Sequence, residues 1–167
     1  VVALLLLAQQ LELRRHSSVT RIAAAGAIAS LALAAALQAV DGIALKTMVD
    51  TWAEAPALQK EGAFRAAFAV RQIEIGLASM FCLSMGITAA VFGVALLSDG
   101  FYPKWFSSLA IVGGLPTAAA GIVIAYTGFS GLAMAINMPA NFILLLWMLV
   151  LGWFMWPRER SPDQSEV

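Results

Sequence analysis

The sequence predicts an all-α polytopic transmembrane helical bundle, with four full spans, a truncated N-terminal span and antiparallel neighbours. Composition is the first reason, because 61% of the residues are hydrophobic and 12% are charged, against about 45–50% and about 25% in soluble domains. Length is the second, because each of four apolar stretches supplies the ~20 residues that a helix needs to cross ~30 Å of hydrocarbon. The third is that polar residues cluster between these stretches. The function must therefore be argued for a protein in a membrane.

The first two elements differ in length and texture. The apolar stretch at about 1–11 is too short to span alone, and we expect it to be the inner half of a helix that began upstream. A partial surface anchor is the alternative. The next stretch, at about 22–45, is rich in alanine, with Gly26 and Ser30 four residues apart. Small residues let helix backbones approach closely, so we expect this span to lie centrally in the bundle.

The connector after the second stretch is the longest, at 46–62. Pro56 suits the first turn of a helix, and Phe64 and Phe68 fall on one face of it. We therefore predict one or two helical turns lying on the membrane surface before a third span at about 73–97. An ordinary structured loop is the alternative.

Two spans complete the bundle, at about 105–129 and 134–156. Pro103 and the preceding Asp-Gly pair mark a tight turn before the first of them. The last span is large and apolar almost all round, so we expect it to face lipid or a partner subunit. Residues 1–157 then form one transmembrane domain, and 158–167 form a polar C-terminal tail.

Lysine and arginine predict the orientation, because cytoplasmic segments carry an excess of them. One set of segments holds Arg14, Arg15, Arg21, Lys104, Arg158 and Arg160. The opposite set holds Lys46, Lys60 and Arg65, with Arg71 inside a helix. The first set, together with the tail, is therefore predicted to be cytoplasmic, and the protein to be a multi-pass component of the inner (plasma) membrane.

Polar side chains inside the spans define the candidate site. Charged groups there are costly and usually functional. Counting from the predicted helix ends at 1.5 Å per residue, we expect Asp41, Arg71 and Glu74 to lie roughly 7–12 Å below the outer surface. Neutral polar groups complete this predicted layer: Gln38, Tyr126, Asn137 and Asn141.

Two interpretations of the polar layer stay open. In the structural one, Asp41 pairs with Arg71, and Glu74 and the asparagines complete a hydrogen-bonded plug, which would be costly to break. In the functional one, the layer lines a cavity open to the outer face and binds a ligand or relays a proton.

Cofactor and metal chemistry find little support in the residue types. The chain has one cysteine, Cys82, and one histidine, His16, and ten basic residues balance ten acidic ones. We predict no cofactor, no metal site, no catalytic residue and no nucleic-acid partner.

Four short motifs carry a family resemblance: VDGIALK at 40–46, AVRQIE at 69–74, YPKW at 102–105 and AYTGF at 125–129. In them the chain resembles small bacterial multi-pass membrane proteins of a domain-of-unknown-function family. The resemblance covers about 20–156. It implies an inner-membrane helical bundle and carries over no reaction and no catalytic residue.

The leading functional hypothesis is a non-catalytic accessory or structural subunit that packs against other membrane proteins or lipids, because the loops are short and the last span offers an apolar flank. Membrane lipids, other subunits or a second copy are the expected partners. The alternative is a transporter-like protein that handles a small molecule, a lipid or protons through the polar layer. A membrane enzyme with Glu74 or Asp41 as its base is a third, weaker hypothesis.

Overall fold

A computed structural model describes residues 2–14 and 17–155 of the chain. Within them the chain is helical, and four helices are long and apolar enough to cross a membrane. The elements are α1 (Val2–Arg14), α2 (Ser18–Ala39), a π-helical segment (Val40–Leu45), α3 (Lys46–Glu54), α4 (Lys60–Asp99), α5 (Lys104–Thr127) and α6 (Gly131–Met155). This architecture, with a shorter helix at the N-terminus, confirms the predicted fold class. The tail at 158–167, Arg15 and His16 lie outside the described residues.

The centre of the bundle is formed by α4 and α5. In the most apolar stretch of each, 44% of the residues are buried, compared with 17% in the helix that α2 begins. The expectation that the alanine-rich span lies centrally is therefore wrong. Its small residues do serve close packing, since the hydroxyl oxygens of Ser30 and Ser84 are 2.9 Å apart, but this contact covers one face only.

Glycine makes the close approach of α4 and α5 possible. A Cβ atom placed on Gly114 would lie 2.6 Å from the carbonyl oxygen of Gly86 and 2.8 Å from the amide nitrogen of Ala90. Real side chains do not tolerate such distances, and both contacting atoms belong to backbone. A Cβ atom on Gly121 would meet the α4 backbone in the same way. This stripe of small residues on α5 therefore lets the two central helices pack closely.

The register between helices shows that two of them are much longer than the rest. Gly128, just after α5, lies opposite Ile75 of α4. Because Ser30 lies opposite Ser84, the antiparallel register places the end of α2 at the same level. Beyond it, residues 40–54 and 60–74 continue about 22 Å past the end of α5, at 1.5 Å per residue. We call these two segments the projecting hairpin.

Local contacts explain why the projecting hairpin is helical. Lys46 pairs with Asp50 at 2.5 Å, and Arg65 pairs with Glu61 at 2.6 Å, both one helical turn apart. The rings of Trp52 and Phe64 pack with their centroids 6.1 Å apart and join the two helices. The segment predicted to lie on the surface is thus the first part of α4, continuous with the span.

The opposite end of the bundle, which we call the Tyr102 end, is closed by aromatic rings. Tyr102 packs against Phe106 and Phe154 at 5.7 and 5.9 Å between centroids, and its hydroxyl donates to Gln10 Oε1 at 3.3 Å. Burial raises the pKa of the Tyr102 phenol, while nearby Arg14 opposes the rise. Arg14 also lies over the Phe101 ring, with 3.6 Å between guanidinium carbon and centroid. These contacts tie α1 to the α4–α5 turn.

Candidate functional site

Arg71 and Glu74 form an ion pair at the base of the projecting hairpin. Arg71 Nη1 donates to Glu74 Oε2, as their three-residue spacing on one helix face allows. Glu74 is 5% exposed. The guanidinium carbon of Arg71 also lies 5.1 Å from the centroid of the Phe129 ring, so the pair is packed against the α5–α6 connection.

The expected ion pair between Asp41 and Arg71 is not formed. Asp41 is exposed in the π-helical segment, and none of the described residues forms a hydrogen bond or an ion pair with it. Glu74 takes the place of Asp41 because it lies on the same helix as Arg71. Gln38 is also exposed, and Tyr126 is 87% exposed, so these members of the predicted layer do not converge.

The position of the charged groups along their helices differs from the one assumed, while their depth below a membrane surface stays a prediction. The estimate of 7–12 Å assumed that the second helix ends near Leu45, whereas it continues to Glu54. Measured by register, Asp41, Arg71 and Glu74 lie at or beyond the end of α5. The charge-free stretches of α2 and α4, 22–40 and 75–98, end at this level as well. The charged groups therefore lie at the base of the hairpin, in two helices that are long and apolar enough to cross a membrane.

Asn137 and Asn141 lie elsewhere, within the span portion of α6. Asn141 Nδ2 donates to Asn137 Oδ1 at 3.0 Å, and the Cys82 thiol points to the same oxygen at 4.0 Å. Counted from Gly131, the two asparagines are about 9 and 15 Å along the helix. In the described part of the chain, the amide nitrogen of Asn137 and the carbonyl oxygen of Asn141 have no partner, so a donor and an acceptor remain.

These asparagines line a partly enclosed cleft of about 410 Å³. It lies between α2, which packs mainly on α4, and α6, which packs mainly on α5. Its walls are largely apolar, formed by Leu37, Phe81, Met85, Leu144, Leu145 and Met148. The α4 residues of the cleft, Phe81 and Met85, belong to the charge-free stretch. The open side of the cleft therefore lies at the level that hydrocarbon chains would occupy. We call this feature the α2–α6 cleft.

The polar chemistry of the α2–α6 cleft is neutral. Thr117 also lines it, but its hydroxyl donates to the Gly113 carbonyl at 2.8 Å. The asparagine pair and Cys82 therefore supply the polar groups available to an occupant, and none of them carries a charge in its ordinary state. Such a site suits a molecule that is mostly apolar and carries a neutral hydrogen-bonding group.

A second cavity, of about 370 Å³, lies between α1 and α2 and is lined by Glu12, Thr20 and Arg21 among other residues. Arg21 Nε donates to Glu12 Oε1 at 2.8 Å, so the charges of this cavity are already paired. Among the described residues, no group of three or more His, Cys, Asp or Glu side chains is placed to hold a metal ion.

Sequence reasoning found the asparagines of the α2–α6 cleft and missed its walls. Leu37, Phe81 and Met85 are ordinary apolar span residues, with no sequence signal to separate a cleft position from a lipid-facing one. The position of Cys82 opposite Asn137 depends on how α4 and α6 are aligned. That alignment is a property of the packed bundle.

A family model described as a domain of unknown function, DUF4386, matches residues 1–152. No curated protein and no solved structure matches the chain.

Proposed function

This chain belongs to the DUF4386 family of proteins with a domain of unknown function, and from that premise we propose that it is a non-catalytic accessory protein that binds a membrane lipid. The lipid would occupy the α2–α6 cleft. The observation that carries the proposal is the asparagine pair, which offers an unused donor and acceptor in an otherwise apolar cleft. A polar group left unpaired in hydrocarbon is costly, so an occupant with a neutral polar group would be stabilised there.

The size and position of the cleft support a lipid. Ligand sites usually have about 300–1,000 Å³ and are mostly apolar with a few placed polar groups, and the cleft falls in that range at about 410 Å³. Asn137 and Asn141 lie well below the end of α5, where an ester or hydroxyl group of a lipid would meet them. Acyl carbons would then extend along Met85 and Met148, side chains that adapt to irregular shapes.

The charged residues beside the cleft favour a lipid that places a neutral group in it. Arg71 and Glu74 pair with each other, and Arg71 packs on Phe129, which lines the cleft. An anionic group in the cleft would therefore compete with Glu74 for Arg71. A neutral ester, amide or hydroxyl would leave that pair intact.

Native mass spectrometry of the protein extracted from its membrane in mild detergent tests the proposal. We expect a lipid bound at about one per chain. Replacing both asparagines, Asn137→Leu with Asn141→Leu, should reduce lipid retention by about 5- to 150-fold, because two neutral hydrogen bonds contribute about 1–3 kcal/mol together. Leu149→Ala is the matched control, since Leu149 lies on α6 with 71% of its surface exposed, away from the cleft.

Cys82 provides an independent readout, because it is the only cysteine of the chain and lines the cleft. In mild detergent, a small maleimide should react with it more slowly when the retained lipid is present than after delipidation. Equal lipid retention by the double variant and the parent, or no retained lipid at all, would overturn the proposal.

A transporter-like protein is the second candidate, favoured by the buried carboxylate of Glu74. Such a protein should move protons or a solute across vesicle membranes, and Glu74→Gln should abolish that movement. Lipid retention that survives Glu74→Gln, with no flux in the parent protein, would leave lipid binding as the function.

A further inference from the structure

The hydrogen bond between the two asparagines of the α2–α6 cleft determines what an occupant must offer them. Asn141 Nδ2 donates to Asn137 Oδ1 at 3.0 Å, and the Cys82 thiol lies 4.0 Å from the same oxygen. When one side-chain amide donates to another, the nitrogen of the acceptor amide and the oxygen of the donor amide stay unused. Neither of these two atoms has a hydrogen-bond partner among the described residues. An occupant that satisfies both must accept one hydrogen bond and donate another.

The polar groups that lipids carry differ in whether they can do both. An ester or an ether only accepts, so it would leave the Asn141 oxygen without a donor. A secondary amide points its N–H and its C=O in opposite directions, so it cannot serve two neighbouring amides on one wall. A hydroxyl donates and accepts through a single oxygen. It is therefore the small group that satisfies both asparagines.

The lining of the cleft also selects against a charged group. Among the described residues that line it, none has a charged side chain. A phosphate, carboxylate or ammonium placed beside the asparagines would have no counter-charge there, and burying an unpaired charge is costly. Phosphate and carboxylate would also turn acceptor oxygens toward the Asn141 oxygen, which needs a donor.

The apolar part of the lining extends from the asparagine pair along α6. Leu145 and Met148 follow Asn141 by four and seven residues and line the same cleft, as positions on one helix face do. At 1.5 Å per residue, Met148 lies about 10 Å beyond Asn141, in the direction of the Tyr102 end. Met85 of α4 lines the cleft as well. A hydrocarbon chain attached to the hydroxyl would lie along this run.

We propose that the lipid in the α2–α6 cleft is an uncharged lipid alcohol, whose hydroxyl accepts from Asn137 Nδ2 and donates to Asn141 Oδ1. This inference rests on the proposed function, because it names the chemical class of the lipid at that site. Diacylglycerols and long-chain alcohols have this chemistry. Phospholipids and fatty acids place a charge at their polar end and do not.

Matched ligands test the hydroxyl. Dioleoylglycerol and the methyl ether of its hydroxyl group carry the same chains, but the ether only accepts. Delipidated parent protein in mild detergent, given both at equal concentration, should retain the alcohol over the ether by about 5-fold or more in native mass spectrometry, because the ether leaves the Asn141 oxygen unpaired. The dioleate of propanediol, which has hydrogen in place of the hydroxyl and is no larger, should be retained as poorly as the ether. That third ligand separates the loss of a donor from the bulk of the added methyl group.

Variants of the protein locate the preference. Asn137→Leu with Asn141→Leu should retain the alcohol and the ether equally, whereas Leu149→Ala, at an exposed position of α6 outside the cleft, should keep the parent preference. A preference for the alcohol that survives in the double variant would overturn the proposal, because it would arise away from the asparagines.

Two further outcomes distinguish this inference from the proposed function. If the parent protein retains all three ligands equally, but more strongly than the double variant does, the lipid-alcohol proposal is wrong and lipid binding in the cleft stands. If the parent protein retains none of them, or no more than the double variant does, both proposals are wrong.

Discussion

At the scale of single residues, Glu74 is a charged residue that is buried, with 5% of its surface exposed, in one of the candidate spans. It is almost fully buried, and its partner Arg71 packs on Phe129 in the α5–α6 connection. A buried carboxylate that loses its partner keeps the cost of its desolvation. Removing one partner should therefore cost more stability, through the unpaired buried carboxylate, than the attraction within the pair supplies.

Arg71→Met should lower the free energy of unfolding by about 1.5–3 kcal/mol, the range for a hydrogen bond to a charged group. Thermal unfolding in detergent, followed by circular dichroism, measures it. Adding Glu74→Gln to Arg71→Met should cost less than the sum of the single losses, because the two groups act together. Asp41→Asn should change stability by no more than about 0.5 kcal/mol. An equal loss of unfolding free energy from Asp41→Asn and from Arg71→Met would instead support an ion pair between Asp41 and Arg71.

At the scale of elements, α4 and α5 pack closely because the residues at their contact include glycines, which have no side chain. Gly114 and Gly121 of α5 lie against backbone of α4, so the two helices cannot part slightly without losing van der Waals contact at both positions. The α5 stripe consists of Gly114, Ala118 and Gly121, and its spacing is visible in the local sequence. It did not indicate that α4 would be the partner, because α2 carries a similar stripe of small residues.

Gly114→Ala should destabilise the bundle by about 1–3 kcal/mol, the usual cost of forcing extra volume into a packed contact. Gly76→Ala is the control on α4, since a Cβ atom there meets nothing within 4 Å. The control should be neutral or more stable by up to about 1 kcal/mol, because alanine favours a helix over glycine. Thermal unfolding in the same detergent compares them. Equal losses at both glycines would contradict the register described above.

At the scale of the whole molecule, hydropathy predicted the number of spans because each apolar stretch is a local property of the chain. Helix length beyond the membrane was harder to predict. The i, i+4 pairs Lys46–Asp50 and Glu61–Arg65 were local signals for continued helix, but their residues looked like those of a polar connector. The α2–α6 cleft and the partner of Arg71 depend on alignment between helices, which no single stretch encodes.

Orientation of the whole molecule can be tested at its two ends. On a Cys82→Ala background, Leu58→Cys places a thiol at the fully exposed tip of the hairpin, and Phe101→Cys places one at the Tyr102 end. If Lys and Arg determine orientation as predicted, a membrane-impermeant maleimide should label Leu58→Cys in intact cells and Phe101→Cys only after permeabilisation. The reverse pattern would invert the topology and place the hairpin in the cytoplasm.

The 40 residues of α4 form one unbroken rod from Lys60 to Asp99, and this has a mechanical consequence. Its first third stands in the hairpin and its middle carries Phe81 and Cys82 beside Asn137. Because Gly114 and Gly121 of α5 contact the backbone of this rod near its middle, a force applied at the tip would first load the contact between α4 and α5.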